Sequence, residues 1–331
     1  MSDIKGKRII VTGGAGFIGS NLVEDLCLDN KVFVIDNLHT GSKENLSEAM
    51  KSGNVTFIND DSKNIRKHML DADLVFHLGM PSASPMYRKN PNLVNEVVEG
   101  VINVLEFVKE KKCNLVFVST SSIYNGIKPP HKEDIIPKVT DYYTEGRIAG
   151  ERMAELYHDL YGVNVASMRF FSVYGKHEEA KGGYANLISQ FLWEMKKGRN
   201  PEIYGDGEQR RDFVYAGDVV QAMKKASTVK GFEVFNVGTG VNYSLNELVE
   251  ILNAELGSDI KPKYVKMPVS NYVMETKADI TKSEKKLGFK AKVSLREGIR
   301  IRNSKGSFFP FFPYKNKKHV RQFTCKKTRQ Y

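Results

Sequence analysis

In the first half of the chain, short and nearly unbroken apolar runs alternate with longer stretches in helical period. Residues 7–12, 31–36, 54–59, 73–78, 114–119 and 164–171 lack the apolar/polar alternation of a strand with one wet face. They predict strands buried on both faces. The helical stretches between them, 17–28 and 92–112 included, predict crossovers that cover a parallel sheet on two sides. The class is α/β, a doubly wound parallel sheet with a smaller C-terminal lobe. Residues 1–175 form the sheet domain, to which some later segments return, and 176–299 form mainly the lobe. A strand at 233–237 and a helix at 245–256 fall in this looser second part. Within 92–112, Val94, Val97, Val98, Val101, Ile102, Val104, Leu105 and Val108 make a stripe wider than one buried face needs. The excess predicts a second covered face, against another copy of the chain in a homodimer.

Composition changes this picture at one end only. The 331 residues hold 50 Lys and Arg against 39 Asp and Glu, a net charge of +11. Ten of the basic residues and none of the acidic ones lie in 300–331, so the body is close to neutral. The charge therefore describes a tail, and does not make the body a nucleic-acid binder. Phe308-Phe-Pro-Phe-Phe-Pro-Tyr314 opens this tail, and its prolines forbid a regular helix there. Two readings stand: a basic aromatic arm for a membrane surface or nucleic acid, or a disordered, aberrant terminus in place of a last helix. The second is preferred.

No apolar run reaches the roughly 20 residues of a membrane-spanning helix. Met1 leads through a charged stub into Arg8-Ile-Ile-Val11 with no signal-peptide core. Cys27, Cys113 and Cys325 show no paired spacing, which argues against a disulfide framework or a thiolate metal site. A cytoplasmic protein is expected, with no metal, no membrane and no nucleic-acid partner.

The first chemistry lies between the first predicted strand and helix, in Thr12-Gly13-Gly-Ala-Gly16-Phe17-Ile18-Gly19. Glycines at 13, 16 and 19 permit a tight turn, a close backbone approach to pyrophosphate, and helix–strand contact. The helix N-terminus adds free N–H groups and partial positive charge. Asp36 ends the second strand, about 20 residues on, where a carboxylate accepts both adenosine ribose hydroxyls and repels a 2′-phosphate. The cofactor predicted is NAD, not NADP, on a Rossmann-like sheet. Phe17, Ile18 and Asn37 flank these positions and are counted with them. Asp61, after the third strand, is a weaker candidate for the adenine amino group, with an ordinary loop Asp about as plausible.

Further motifs follow in order: Ser119-Thr120-Ser-Ser-Ile-Tyr124, Tyr143-x-x-x-Arg147-Ile-Ala-Gly-Glu151 and Arg169-Phe-Phe-Ser172-Val-Tyr-Gly175. Gly205-Asp-Gly-Glu-Gln-Arg-Arg211-Asp-Phe-Val214 and Phe235-Asn-Val-Gly-Thr-Gly240 complete the series. Together with the glycine turn, they resemble the extended short-chain dehydrogenase/reductases, in their NAD-dependent nucleotide-sugar epimerase/dehydratase branch. The resemblance runs over about residues 5–299. It implies an isomerase that acts on a nucleotide sugar, like a UDP-glucose 4-epimerase, through a transient 4-keto sugar.

That chemistry needs a base for a sugar hydroxyl. A tyrosine has an ordinary pKa near 10 and serves only with a cation close by. Tyr143 and Arg147 lie one helical turn apart on one face. Thr120, at another strand end, shares the proton network and touches the substrate oxygen. The resemblance gives Arg211 a contact with the substrate diphosphate, against a structural pair with Asp212. It gives Ser172 a phosphate contact where many members have Asn. Three further departures are visible: Arg147 stands where Lys is usual, Val97 where Asn is usual, and Ser270-Asn-Tyr-Val273 lacks the usual Arg.

Ser121 and Ser122 occupy the Asp-Glu positions of the 4,6-dehydratases, which removes their acid and base. Ser122 also replaces a decarboxylase Glu, although Glu145-Gly146 is shared with those relatives. A decarboxylase or dehydratase of the same family is the second reading. A catalytically impaired NAD- or sugar-nucleotide-binding protein, motivated by Arg147 and Val97, is the third.

Overall fold

A computed structural model of the chain describes residues 4–138, 141–267 and 272–303. Among them, the apolar runs become β1 (Arg8–Thr12), β2 (Lys31–Ile35), β3 (Val55–Ile58), β4 (Leu74–His77), β5 (Asn114–Thr120) and β6 (Val165–Phe170). Shorter strands follow: β7 (Ser172–Tyr174), β8 (Glu202–Tyr204), β9 (Arg210–Arg211), β10 (Phe213–Tyr215), β11 (Phe232–Val237), β12 (Tyr243–Ser244) and β13 (Lys263–Val265). The α-helices are α1 (Phe17–Leu26), α2 (Ser47–Met50), α3 (Ser84–Lys89), α4 (Leu93–Lys111) and α5 (Tyr142–Tyr161). Then come α6 (Leu187–Lys196), α7 (Ala216–Ala226), α8 (Leu245–Leu256) and α9 (Leu295–Asn303). None of these helices is long and apolar enough to cross a membrane.

Seven strands form one parallel sheet in the order β3-β2-β1-β4-β5-β6-β11. The strand at 233–237, read from sequence as part of the looser half, thus extends the central sheet on the far side of β6. Burial explains the missing alternation. Ile9, Ile10 and Val11 are all fully buried, with Ile9 and Val11 in one core and Ile10 in the other. The first core receives Leu22 and Val23 from α1 with Val219 and Met223 from α7; the second receives Val101 and Val104 from α4 with Ala154 from α5. A third core joins α6, α8 and α9 around Ile203 and Phe213 and makes the lobe. Strand order reverses between β1 and β4, and a crevice for ligands opens at the carboxyl ends of strands at such a point.

At the C-terminus the helix does not stop at 299. α9 continues to Asn303, because Arg296 and Arg300 both pair with Glu255 of α8, at 2.8 and 2.6 Å. The aromatic run of the tail and everything else from 304 onwards lie outside the described residues.

Candidate active site

The glycine turn is built by close contact. Gly13 has φ +69°, and a Cβ on Gly19 would stand 2.1 Å from the Gly13 carbonyl oxygen. Gly16 precedes α1 without any side-chain cap, so the N–H groups of the first turn are open to an anion. Asp36 reaches back to the turn. It accepts the N–H of Ala15 at 2.9 Å and that of Leu38 at 2.8 Å. Burial pushes its carboxyl above the ordinary range, against the pull of those N–H groups. Next to it, the Asn37 side chain donates to Asp61 at 3.0 Å.

A cavity of about 360 Å³ runs from this turn across the ends of β1, β4 and β5. Gly13, Gly16, Phe17, Ile18, Gly19, Asp36, Asn37 and Asp61 line one end, and Thr120, Tyr143 and Arg147 line the other. Two devices carry Tyr143 and Arg147 there. Asp141 caps α5 through the N–H and hydroxyl of Thr144, both at 2.9 Å. Gly150 lets the helix press onto the sheet, since a Cβ there would meet the Phe117 ring at 2.6 Å. One turn further, buried Glu151 holds Arg169 of β6 with two bonds of 3.0 and 2.7 Å.

Tyr143 packs edge-on against Tyr87, and the Arg147 guanidinium lies 5.2 Å from the centre of its ring. Arg147 is buried; it donates to the Pro81 carbonyl at 2.9 Å and contacts the Met80 sulfur. Thr120 accepts the Ser122 N–H at 3.1 Å, which starts a short 3₁₀ turn. Val97 is buried, lines the cavity, and packs toward Gly146 of α5.

Two expected substrate residues are not among the lining of this cavity. Ser172 lies on β7, its N–H bonded to the Asp212 carbonyl at 2.9 Å. Arg211 is buried under the Tyr272 ring and donates to the backbone carbonyls of Arg210, Val273 and Met274. The structural pair with Asp212 is not formed. Asp212 instead accepts from Thr239, Gly240 and Ala278.

The structure also brings in residues that local patterns passed over. Ser82, Lys181, Tyr184 and Asn186 line the cavity from loops after strand ends, the usual location of ligand-binding groups. A serine-rich stretch after β4, Pro81-Ser-Ala-Ser84, was the available signal for the first of them. His77 ends β4 fully buried beneath the site. Thr12 Oγ1 accepts the Gly79 N–H at 3.1 Å and shares a hydrogen bond of 2.7 Å with His77 Nδ1. The ring's Nε2 is buried without a partner among the described residues. Burial, with the Arg147 charge beyond it, pushes its pKa down to about 3.

The lining fits a dinucleotide with a polar second ligand. Ser82 Oγ, Ser119 Oγ and Arg147 Nε are buried at the cavity and have no partner among the described residues, and the uncapped α1 faces the same space. Buried polar atoms of this kind call for a ligand's hydrogen bonds.

Comparison with known proteins agrees. A family model described as the NAD dependent epimerase/dehydratase family matches residues 9–238. The fold is similar to that of a UDP-N-acetylglucosamine 4-epimerase from Methanobrevibacter ruminantium, with a TM-score of 0.86 and 31% identity over 90% of this chain and 97% of that one. A UDP-glucuronic acid 4-epimerase from Bacillus cereus, solved with UDP-glucuronic acid and NAD, gives a TM-score of 0.80 and 26% identity over 89% and 97%. UDP-glucuronic acid decarboxylase 1 of Arabidopsis thaliana is 31% identical over 300 residues, 88% of this chain and 68% of the relative.

Proposed function

Because the chain belongs to the NAD dependent epimerase/dehydratase family, we propose that it is an NAD-dependent nucleotide-sugar 4-epimerase. The observation that carries this reading is the joint lining of one cavity by the glycine turn with Asp36 and by Tyr143 with Thr120. Bound NAD supplies a hydride acceptor and donor. In this reading the 13–19 turn and the first turn of α1 hold the pyrophosphate, and Asp36 holds the adenosine ribose. Tyr143 takes the proton of the 4-hydroxyl, and Thr120 orients that oxygen. The 4-keto sugar turns in the cavity, and Tyr143 returns the proton to the opposite epimer. Arg147 keeps a positive charge beside the tyrosine ring throughout. Ser121 and Ser122 offer no carboxyl for elimination, which separates the reading from a 4,6-dehydratase.

The second reading is UDP-glucuronate decarboxylation, favoured by Glu145-Gly146 and by the Arabidopsis relative. One experiment divides the two. Incubation with UDP-, GDP- and dTDP-hexoses and UDP-glucuronate, followed by product NMR, yields an epimer under the first and a pentose with CO₂ under the second. Tyr143→Phe lowers turnover by roughly 10²–10⁴-fold while cofactor stays bound. Absence of any epimer across the panel overturns the proposal.

The same reading makes the protein a cytoplasmic homodimer. Cys27 and Cys113 are free buried thiols, suited to a reducing compartment. Tyr142, Leu156, Leu160 and Tyr161 are exposed on α5, while Val94, Val98 and Ile102 are only half-buried on α4. An apolar face of this kind fits a second copy. Leu160→Glu yields monomers by sedimentation if the face is the interface.

A further inference from the structure

The segment Glu179–Tyr184 crosses the mouth of the cavity and contains no buried residue of its own. Its ends hold it. Glu178, fully buried, accepts the Asn186 N–H at 2.8 Å and the Ser189 hydroxyl, and Glu179 pairs with Arg302 at 2.5 Å. Between these anchors Gly182 adopts φ 50° and ψ −125°, a conformation closed to residues with a side chain. The chain is thereby turned so that Lys181 faces inward at one end and Tyr184 at the other. The Tyr184 hydroxyl lies 3.5 Å from the exposed Lys89 ammonium at the end of α3.

Lys181 is the only lysine among the described residues that line the cavity. Its ammonium lies 5.6 Å over the Phe17 ring, the first residue of α1 and the one directly after Gly16. Among the described residues it forms no salt bridge with a carboxylate, whereas the Arg147 guanidinium is engaged at Met80 and Pro81 and that of Arg211 at three carbonyls. An ammonium that makes no salt bridge among the described residues thus sits over the ring of the residue after Gly16, at the start of the helix whose first N–H groups are open to an anion.

We propose that Lys181 is a cofactor-binding residue: its ammonium pairs with the pyrophosphate of NAD from the open side of the cavity, opposite the backbone N–H groups of the glycine turn. The strap then closes over the cofactor and retains it. The inference rests on the glycine turn as the pyrophosphate site, and not on which sugar is turned over.

Calorimetry on the full chain tests it, with NAD⁺, ADP-ribose, adenosine and UDP as separate titrants. Lys181→Ala weakens NAD⁺ and ADP-ribose alike, about tenfold for a charge-assisted bond to phosphate, and lowers the salt dependence of both. Lys181→Arg recovers most of the affinity, and adenosine, which has no phosphate, is indifferent to either change. Unchanged affinity for NAD⁺ and ADP-ribose overturns the proposal. So does a loss confined to UDP, which would assign the cation to the substrate. Turnover is not the readout, so failure of the epimerase reading and failure of this one are seen in different experiments.

Discussion

At the glycine turn, Asp36 accepts two backbone N–H groups and still faces the cavity. In the lobe, Asp212 accepts three backbone N–H groups and the Thr239 hydroxyl, at 2.6 to 3.0 Å, and does not line that cavity. Both carboxyls are buried and both are pushed above the ordinary range by that burial. What separates them is remaining capacity. A carboxylate offers about four lone-pair sites, so Asp212 is full and ties three loops together, while Asp36 keeps acceptors for a ligand. Two buried arginines follow the same logic, Arg211 beside Asp212 and Arg147 at the far end of the cavity from Asp36. Arg211 satisfies carbonyls of its own backbone, whereas Arg147 leaves one buried N–H toward the cavity.

The largest effect that could break this contrast is on folding. Asp212→Ala strands three buried N–H groups at about 1–3 kcal/mol each, so denaturant unfolding should show a loss of roughly 4 kcal/mol or more. A variant as stable as the wild type would remove the structural role assigned to it.

Acid sharpens the comparison, because it treats a neutral histidine and a buried carboxyl oppositely. His77 has its pKa depressed to about 3 in the fold against 6.5 in the unfolded chain. Between those values the unfolded chain binds the extra proton. Wild-type stability relative to His77→Gln therefore falls by roughly 1.4 kcal/mol for each pH unit below 6.5. Asp36 and Asp212, with raised values, go the other way: their contribution is fully present below the unfolded pKa and is lost as pH rises through the folded one. Urea titrations of both proteins from pH 7 to pH 4.5 check the sign, and parallel curves would mean that His77 is not held neutral.

A smaller effect is expected at Asp36. Asp36→Ala should weaken NAD⁺ by about ten- to a hundredfold and erase most of the discrimination against NADP⁺, with a smaller stability change than at Asp212. Calorimetry with both cofactors decides, and unchanged affinity for both would end the ribose assignment. The smallest change is Arg147→Lys. Initial rates should stay within about threefold of wild type or rise, since the charge beside Tyr143 is kept. A folded but inert variant would show that the guanidinium contact with Pro81 is indispensable.

The parts that were readable from sequence are those whose geometry is local. The 13–19 turn needs glycine at fixed offsets, and Tyr143 and Arg147 share a helix face. Strands buried on both faces announce themselves by unbroken apolar runs. Helix 245–256 has the same bounds in both, since Ser244 and Glu247 form a capping box and Gly257 ends it. Long-range choices were not readable. Nothing within Phe232–Val237 says that it will pair with β6, and nothing near Arg211 says that Val273 and Met274 will offer their carbonyls. Lys181 was missed for a related reason: a lysine in a loop of Gly and Ala carries no local sign of the ring it covers.

The late arrival of β11 has a consequence for biosynthesis. Nascent chains fold from the N-terminus as they emerge, and β1 to β6 are complete well before residue 232 is made. Until then Val165–Phe170, buried along its whole length in the finished protein, presents an unpaired backbone edge. Such an edge is a template for any other strand, including one from a neighbouring ribosome on the same message. A stalled or clipped chain that ends between β6 and β11 is therefore the form of this protein most prone to aggregate, and the one a chaperone would have most reason to hold.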